Sequence, residues 1–359
     1  MKFIHCADIH ADSKMDSHFS AEMAKERRED IVRSFENIAK LSKQNGVRAV
    51  LIAGDLFDTK ATQQKSIKKQ IAYVIKQYPE VDFLYLRGNH DEDVEFAVEE
   101  NLPNLKRFSK DCWTQYRYDN VVISGREFSS SISSSVYNEL SLSENDVNIV
   151  MLHGQIAEYK AKDGAPVISL PKLQNKNIDY LALGHIHDFK EDKLDSRGRW
   201  CYSGCLEGRG FDECGEKGFI LLDVNENKKI ESKFYPSSKR IIHEVEVPLK
   251  PVMSYSEIMD EIKNHLKGIS QNDVVQVKLC GEVTEETEIE TESYQRALSG
   301  DYFFVRFKDK TESKIDYGKY ANDVSLKGEF IRLVNEQNLT EEEKSKIIMT
   351  GIKALSGRL

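Results

Sequence analysis

Apolar positions along this chain fall in two rhythms. Five short runs are nearly continuous: Lys2-Phe3-Ile4-His5-Cys6-Ala7, Ala49 to Ala53, Asp82 to Leu86, Asn148 to Leu152 and Asp179 to Leu183. Runs of that length, each followed within a residue or two by a polar or glycine position, predict strands buried on both faces. Between the first two runs, Ala21 to Gln44 repeats with a helical period. It places Ile31, Phe35, Ile38 and Leu41 on one face of a charged helix that Gly46 ends. Strand, helix and strand make a βαβ unit. A second helix, around Gln63 to Gln77, links the next pair of strands, and Ser129 to Ser135 read as a polar loop followed by a helical turn. From Trp200 onward the pattern is of strands, with Phe219 to Val224 and Ile230 to Tyr235 forming a hairpin.

The pattern changes near Pro236-Ser-Ser-Lys-Arg240. Beyond it, Ile241 to Val247 predicts a strand, Tyr255 to Leu266 a helix, and Val274 to Leu279 and Tyr302 to Phe307 two more strands. Asn322 to Gln337 and Glu341 to Leu355 predict two helices, the second opened by a Thr340/Glu343 capping box. The chain therefore divides into an α/β domain over residues 1–240, a small α/β domain over 241–318 and a helical segment over 319–359.

At 359 residues, two or more domains and a large core are the natural expectation. The apolar runs are strand-sized, so no membrane span is predicted. Asp8 and His10 interrupt the first apolar stretch, which excludes a signal peptide there. Six cysteines without regular spacing fit reduced thiols and a cytoplasmic location. Cys201, Cys205 and Cys214 are a weaker candidate for a zinc site. The formal net charge of −9 argues against a general nucleic-acid coat. Local patches around Lys65, Lys68 and Lys69, and around Arg197 and Arg199, are candidates for guiding phosphates, although ordinary solvated faces account for them better. The acidic stretch from Glu282 to Glu292 would repel a duplex.

The chemistry sits where the five strands end. In order come Asp8-Ile-His10, Gly54-Asp55-Leu-Phe-Asp58, Gly88-Asn89-His90-Asp91, His153-Gly154 and Gly184-His185-Ile-His187. Carboxyl ends of neighbouring strands are where an α/β sheet keeps its site. The glycines before Asp55, Asn89 and His185 are expected to let the chain turn sharply out of the sheet. Asp8, His10, Asp55, Asn89, His153, His185 and His187 together can hold two divalent ions, the machinery for in-line attack on phosphorus. Mixed carboxylate, amide and imidazole donors without thiolate suit Mn²⁺, Fe²⁺ or Zn²⁺, with Mg²⁺ as a further alternative. Asp55 is the natural bridging carboxylate, and a water shared by the two cations loses its proton near neutral pH to become the nucleophile. His90, beside Asn89, is placed to protonate the departing alkoxide, and Asp58 to fix its tautomer. His5 and His18 take the ordinary structural reading. Asp12, Asp16, Asp91 and Asp188 read as supporting or as solvated loop carboxylates.

These blocks resemble the calcineurin-like metallophosphoesterases, and within them the SbcD-type DNA repair exonucleases, the nuclease subunits of double-strand-break processing complexes. Phe3 to His10, Ala53 to Asp58, Tyr202-Ser203-Gly204-Cys205, Gly215 to Phe219 and Leu326 to Arg332 carry the likeness. The resemblance implies a two-sheet sandwich flanked by helices, with a small capping domain that helps choose DNA. It also implies a helical carboxyl-terminal segment that contacts an SbcC-type ABC ATPase. It assigns Asp8, His10, Asp55 and His187 to one ion, Asp55, Asn89, His153 and His185 to the other, usually Mn²⁺, and proton donation to His90. Two positions depart from that branch: Ala11-Asp12 replaces its usual Leu-Gly, and Asp58 stands where relatives tend to carry histidine. The expected function is a 3′-to-5′ DNA exonuclease with accompanying endonuclease activity in repair and recombination. A homodimer is left open. The alternatives are a hydrolase of phosphoproteins, cyclic nucleotides or small phosphoesters, and a non-catalytic DNA-end scaffold.

Overall fold

The computed structural model of the chain describes residues 1–15, 19–58, 65–90, 96, 101–127, 134–156, 166–284, 287, 289–313, 317–320 and 322–355. His18, Asp16, Asp91, residues 63–64 of the second helix and residues 129–133 of the serine-rich loop lie outside them. The chain forms two compact units, Met1–Ile241 and Ile242–Leu359.

The first unit is built on two six-stranded sheets. One contains β1 (Lys2–Cys6), β2 (Val47–Ala53), β3 (Asp82–Leu86) and β4 (Leu105–Arg107), with the hairpin β13 (Gly218–Val224) and β14 (Ile230–Pro236), in the order β14-β13-β1-β2-β3-β4. The other contains β5 (Thr114–Tyr118), β6 (Val121–Gly125), β7 (Val147–His153), β10 (Tyr180–Gly184), β11 (Lys190–Lys193) and β12 (Arg199–Tyr202), in the order β11-β12-β10-β7-β6-β5. A two-stranded sheet, β8 (Gln155–Ile156) and β9 (Val167–Ile168), follows the end of β7. Inner faces of the two large sheets meet in one core that includes Phe3, Leu51, Leu84, Ile123, Ile149, Met151, Ala182 and Leu222. Because both sheets are buried on both sides, their central strands carry apolar side chains at every position, which is why they read as runs without alternation.

Helices α1 (Ala21–Gln44) and α2 (Lys65–Gln77) belong to the first sheet's side, where Phe35 packs on Phe83 with ring centroids 5.8 Å apart. Ile31, Phe35 and Ile38 are buried as the helical period predicts, but Leu41 is 40% exposed, because the buried face continues through Ala39 and Ser42 instead. Ser20 caps its first turn and Gly46, at φ +64°, turns the chain into β2. Helix α3 (Ser134–Glu139) and the single turn Leu170–Lys172 border the outer face of the second sheet, whose own core includes Tyr137, Leu152, Leu173 and Leu183.

The second unit is a parallel sheet, β15 (Ile242–Pro248), β16 (Val274–Val283) and β17 (Phe304–Ser313), with α4 (Tyr255–His265) and α5 (Thr291–Leu298) as its crossovers. Val247, Val277, Leu279, Ile258, Ile262 and Tyr294 form its core. Helix α4 opens with a complete Ser254/Glu257 capping box. A short α6 (Tyr317–Tyr320) leads to α7 (Leu326–Asn335) and α8 (Glu341–Leu355), joined around Ile331, Val334 and Ile348. The Thr340/Glu343 box is formed in both directions, at 3.3 Å and 2.9 Å. Helix α7 starts later than its apolar pattern suggests, because Asp323 accepts from the Ser325 N–H and Ser325 becomes the cap. Among the described residues no helix is long and apolar enough to cross a membrane.

Candidate metal centre

All five blocks lie at the carboxyl ends of central strands. Asp8, Asp55 and Asn89 follow β1, β2 and β3 of one sheet, while His153 ends β7 and His185 and His187 follow β10 of the other. Hydrogen bonds tie the loop tips together: Asp8 N–H donates to the Gly54 carbonyl at 3.1 Å, and His185 N–H donates to both Asp8 oxygens at 2.9 and 3.0 Å. His90 N–H donates to Asp55 Oδ1 at 3.0 Å. Thus Asp8 joins the two sheets, and Asp55 joins the second and third loops of one.

The turns are achieved in an unexpected way. Gly54 does adopt φ +101°, but Asp8 (φ 51°), His10 (φ 45°), Asp55 (φ 50°) and His185 (φ 104°) themselves enter the left-handed region. Such backbone costs on the order of 1–3 kcal/mol per residue and clusters at functional sites. Gly88 and Gly184 keep ordinary φ, so conformational freedom is not their reason. A Cβ on Gly88 would stand 2.1 Å from Asp55 Oδ1, and one on Gly184 would stand 2.0 Å from the Ala53 carbonyl oxygen. Close approach between loops is what demands them.

Among the described residues, three groups of side chains offer ligand atoms within 4.8 Å of one another: Asp8/His10/His187, Asp8/Asp55/His153 and His10/Asp58/His90. Asn89 joins the second through its Oδ1, 3.0 Å from His153 Nε2. His185 stands beside His153, with ring centroids 5.5 Å apart. The first two groups share Asp8 and hold the residue types of a two-ion site. His10 tests the fit. It is fully buried, and among the described residues neither ring nitrogen has a hydrogen-bond partner. Its nitrogens lie 3.3 Å from Asp58 Oδ1 and 3.8 Å from Asp55 Oδ2, without hydrogen-bond alignment. An unsatisfied buried polar group costs about 1–3 kcal/mol, which a cation at that nitrogen would remove. Charge agrees. Burial pushes the His153 imidazole down, yet Asp55 and Asp8 outweigh it and raise the pKa to about 10. Burial resists ionisation of Asp55, but His153 and His10 hold its carboxyl well below the usual range. The pocket attracts positive charge, and two divalent ions fit its donors.

Asp58 accepts from His90 Nδ1 at 3.0 Å, and this hydrogen bond raises the pKa of the half-exposed imidazole. Asp12 is fully buried and takes the Asp58 N–H at 2.6 Å, which decides between its two readings for the supporting one. Asp188 is exposed and paired with Lys217 at 2.6 Å. Buried Lys217 also donates to the His187 carbonyl, and a Cβ on Gly204 would stand 2.9 Å from that same oxygen. The Tyr202–Cys205 and Gly215–Phe219 blocks therefore brace the His187 loop. Tyr202 does the same for the turn after His153, through Gly154 and Ile156 at 2.8 and 2.9 Å.

Two contributors escape the sequence reading. Glu213 Oε1 takes His187 Nδ1 at 2.7 Å, and Arg209 binds Glu213 while standing 3.8 Å from Asp58. Neither lies at a strand end, so no pattern flags them. Other candidates prove structural. His5 is buried and bonds Tyr180 Oη at 3.0 Å. Arg197 is paired with Asp179 and two carbonyls, and Arg199 with Glu191 and Ser232. Lys68 stands over the Phe57 ring. Cys201, Cys205 and Cys214 form no ligand cluster among the described residues.

Residues 1–189 match the protein family described as calcineurin-like phosphoesterase. The uncharacterized metallophosphoesterase YhaO of Bacillus subtilis is 28% identical over 244 residues, covering 62% of this chain and 57% of its own length. The DNA double-strand break repair protein Mre11 of Sulfolobus acidocaldarius is 26% identical over 242 residues, 63% of this chain and 61% of that protein. Its counterpart in Aeropyrum pernix is 24% identical over 276 residues, 70% and 62% of the two chains. The chain thus spans about six-tenths of the length of these curated relatives. Among solved structures, a dimetal phosphatase from Danio rerio aligns with a TM-score of 0.44 and 10% identity, over 67% of this chain and 99% of the other.

Proposed function

Because this chain belongs to the calcineurin-like phosphoesterase family and is a metal-dependent phosphoesterase, we propose that it cleaves the phosphodiester bonds of DNA. In this reading it is a 3′-to-5′ exonuclease with endonuclease activity, serving repair and recombination. The observation that carries the choice of DNA is that relatives described as DNA double-strand break repair proteins are similar over 63% and 70% of the chain.

Asp8, His10, Asp55 and His187 would hold one divalent ion, and Asp55, Asn89, His153 and His185 the other, with Mn²⁺ the first candidate. Bound there, two such ions supply charge neutralisation at the phosphoryl oxygens and activation of the attacking water. The protein's own contribution is placement. Asp55 is fixed by the His90 N–H, and Asp8 by the His185 N–H. Asp58 takes His90 Nδ1 and so leaves Nε2 to give its proton to the departing sugar oxygen. Burial of Asp8, His10, Asp55 and His153 keeps this field strong.

The second unit would orient DNA, and the α7–α8 hairpin would dock an SbcC-type ABC ATPase. Leu326 (71% exposed), Leu333 (53%) and Ile347 (41%) support that assignment as apolar side chains left open on the hairpin. The test is direct. Purified protein with Mn²⁺ should degrade linear duplex DNA, and His90→Asn should lose about 10²–10⁴-fold in rate while still binding Mn²⁺. Turnover of phosphomonoesters with no DNA cleavage, even beside a cognate ATPase, would transfer the site to small phosphoesters or phosphoproteins.

A further inference from the structure

The segment from Glu207 to Glu213 meets the site from outside the strand-end blocks. Arg209 Nη2 and Nε reach Glu213 Oε1 at 2.7 and 3.1 Å, and the Arg209 N–H donates to Glu213 Oε2 at 2.7 Å. Glu213 Oε1 also meets His187 Nδ1 at 2.7 Å, closer than Arg209 Nη2, which stands 3.2 Å from the same nitrogen, and Cys205 Sγ donates to Glu213 Oε2 at 3.9 Å. Arg209 Nη1 stands 3.8 Å from Asp58 Oδ2, the carboxylate whose other oxygen faces His90 and His10. Both side chains are largely buried.

This segment is anchored from behind. Fully buried Arg27 of α1 donates to the Gly208 carbonyl at 2.7 Å and lies 3.4 Å from Glu207, which also takes the Ser34 hydroxyl and the Lys239 N–H at 2.6 Å each. Arg209 therefore projects from a backbone whose two preceding residues are anchored. A guanidinium is suited to the task, since its planar fork can bind one carboxylate bidentately while keeping its remaining donors for another.

We propose that Arg209 and Glu213 are a positioning pair for the metal centre: Glu213 holds the Nδ1 proton of His187 so that Nε2 is the ligand atom, and Arg209 sets Glu213 and Asp58 relative to each other. One guanidinium thereby ties the carboxylate behind a ligand histidine to the carboxylate behind the proton-donating histidine. The inference rests on His187 being a ligand, as proposed above. Carboxylates that orient a ligand histidine fix its tautomer and raise its basicity, and losing one costs about 10–100-fold in metal affinity.

The test is calorimetric titration of the metal-free full chain with Mn²⁺, together with ¹⁵N spectra of the His187 ring at a pH where it is neutral. Glu213→Gln should weaken Mn²⁺ binding about 10–100-fold and move the His187 proton toward Nε2. Glu213→Asp should restore part of the affinity. Arg209→Gln should weaken binding in the same direction, and Arg209→Lys should fall between it and the native chain. These conservative replacements also report on the pair if Glu213→Gln fails to fold. Native Mn²⁺ affinity and an unchanged His187 tautomer in a folded Glu213→Gln or Arg209→Gln chain would overturn the pairing. His187→Gln is the control. If it binds Mn²⁺ as the native chain does, the ligand assignment itself is wrong. If it binds poorly while Glu213→Gln binds normally, the assignment stands and the positioning pair does not.

Discussion

Single residues here are defined by what burial does to them. His5 shows it away from the metal centre. Its imidazole is fully buried in β1 against Tyr180, and burial lowers its pKa from 6.5 to about 3. Between those values the unfolded chain binds a proton that the folded chain refuses. Its stability contribution is therefore intact above about pH 6.5 and is lost progressively as pH falls toward 3, with a slope of up to about 1.4 kcal/mol per unit. Urea unfolding of the native chain and of His5→Gln between pH 7.5 and 5 should differ by most of that slope; parallel curves would refute the buried neutral imidazole. Asp58 makes the complementary case. With its carboxylate removed, His90 loses the partner of its Nδ1, so Asp58→Asn should lower the hydrolysis rate about 10–100-fold with Mn²⁺ affinity less affected. Steady-state rates paired with calorimetry separate the two quantities.

At the scale of elements, the strands that carry the site were legible because they are buried on both faces, and their ends were marked by glycine and histidine. What lay hidden was the reason for the glycines. Gly184 is required because β10 meets the Ala53 carbonyl, a contact between two sheets that no local pattern contains. Gly184→Ala should cost about 1–3 kcal/mol of stability by overpacking, measured by denaturant titration, and a neutral result would mean the loops can separate. Phe35→Ala, at the face of α1 buried against β3, should cost about 3–5 kcal/mol. Helix α5 was missed because it begins within the acidic stretch that ends at Glu292 and only Tyr294 and Leu298 of its eight residues are buried in the core. Arg209 and Glu213 were missed for a different reason. They act from a loop whose position depends on Arg27, some 180 residues away, and such pairings have no period to read.

For the molecule as a whole, the candidate ligands all belong to Met1–Ile241, and the small parallel sheet and terminal helices to Ile242–Leu359. Mn²⁺ should therefore raise the thermal stability of one unit alone. At a hundredfold excess over its dissociation constant, a single bound ion adds about 2.7 kcal/mol to the species that binds it. Differential scanning calorimetry with and without chelator should show two transitions, of which one moves. A single transition that shifts intact would mean the units melt together. The outer strand β17 has a consequence of its own. It pairs with β16 along ten residues while its far side has no partner strand among the described residues, and Arg306, Lys308, Asp309 and Lys310 lie along the strand. Mutual repulsion between two such borders discourages one molecule from extending the sheet of the next. Replacing Lys308 and Lys310 by valine would invite stacking into fibrils, visible as thioflavin fluorescence in a protein that otherwise stays dispersed.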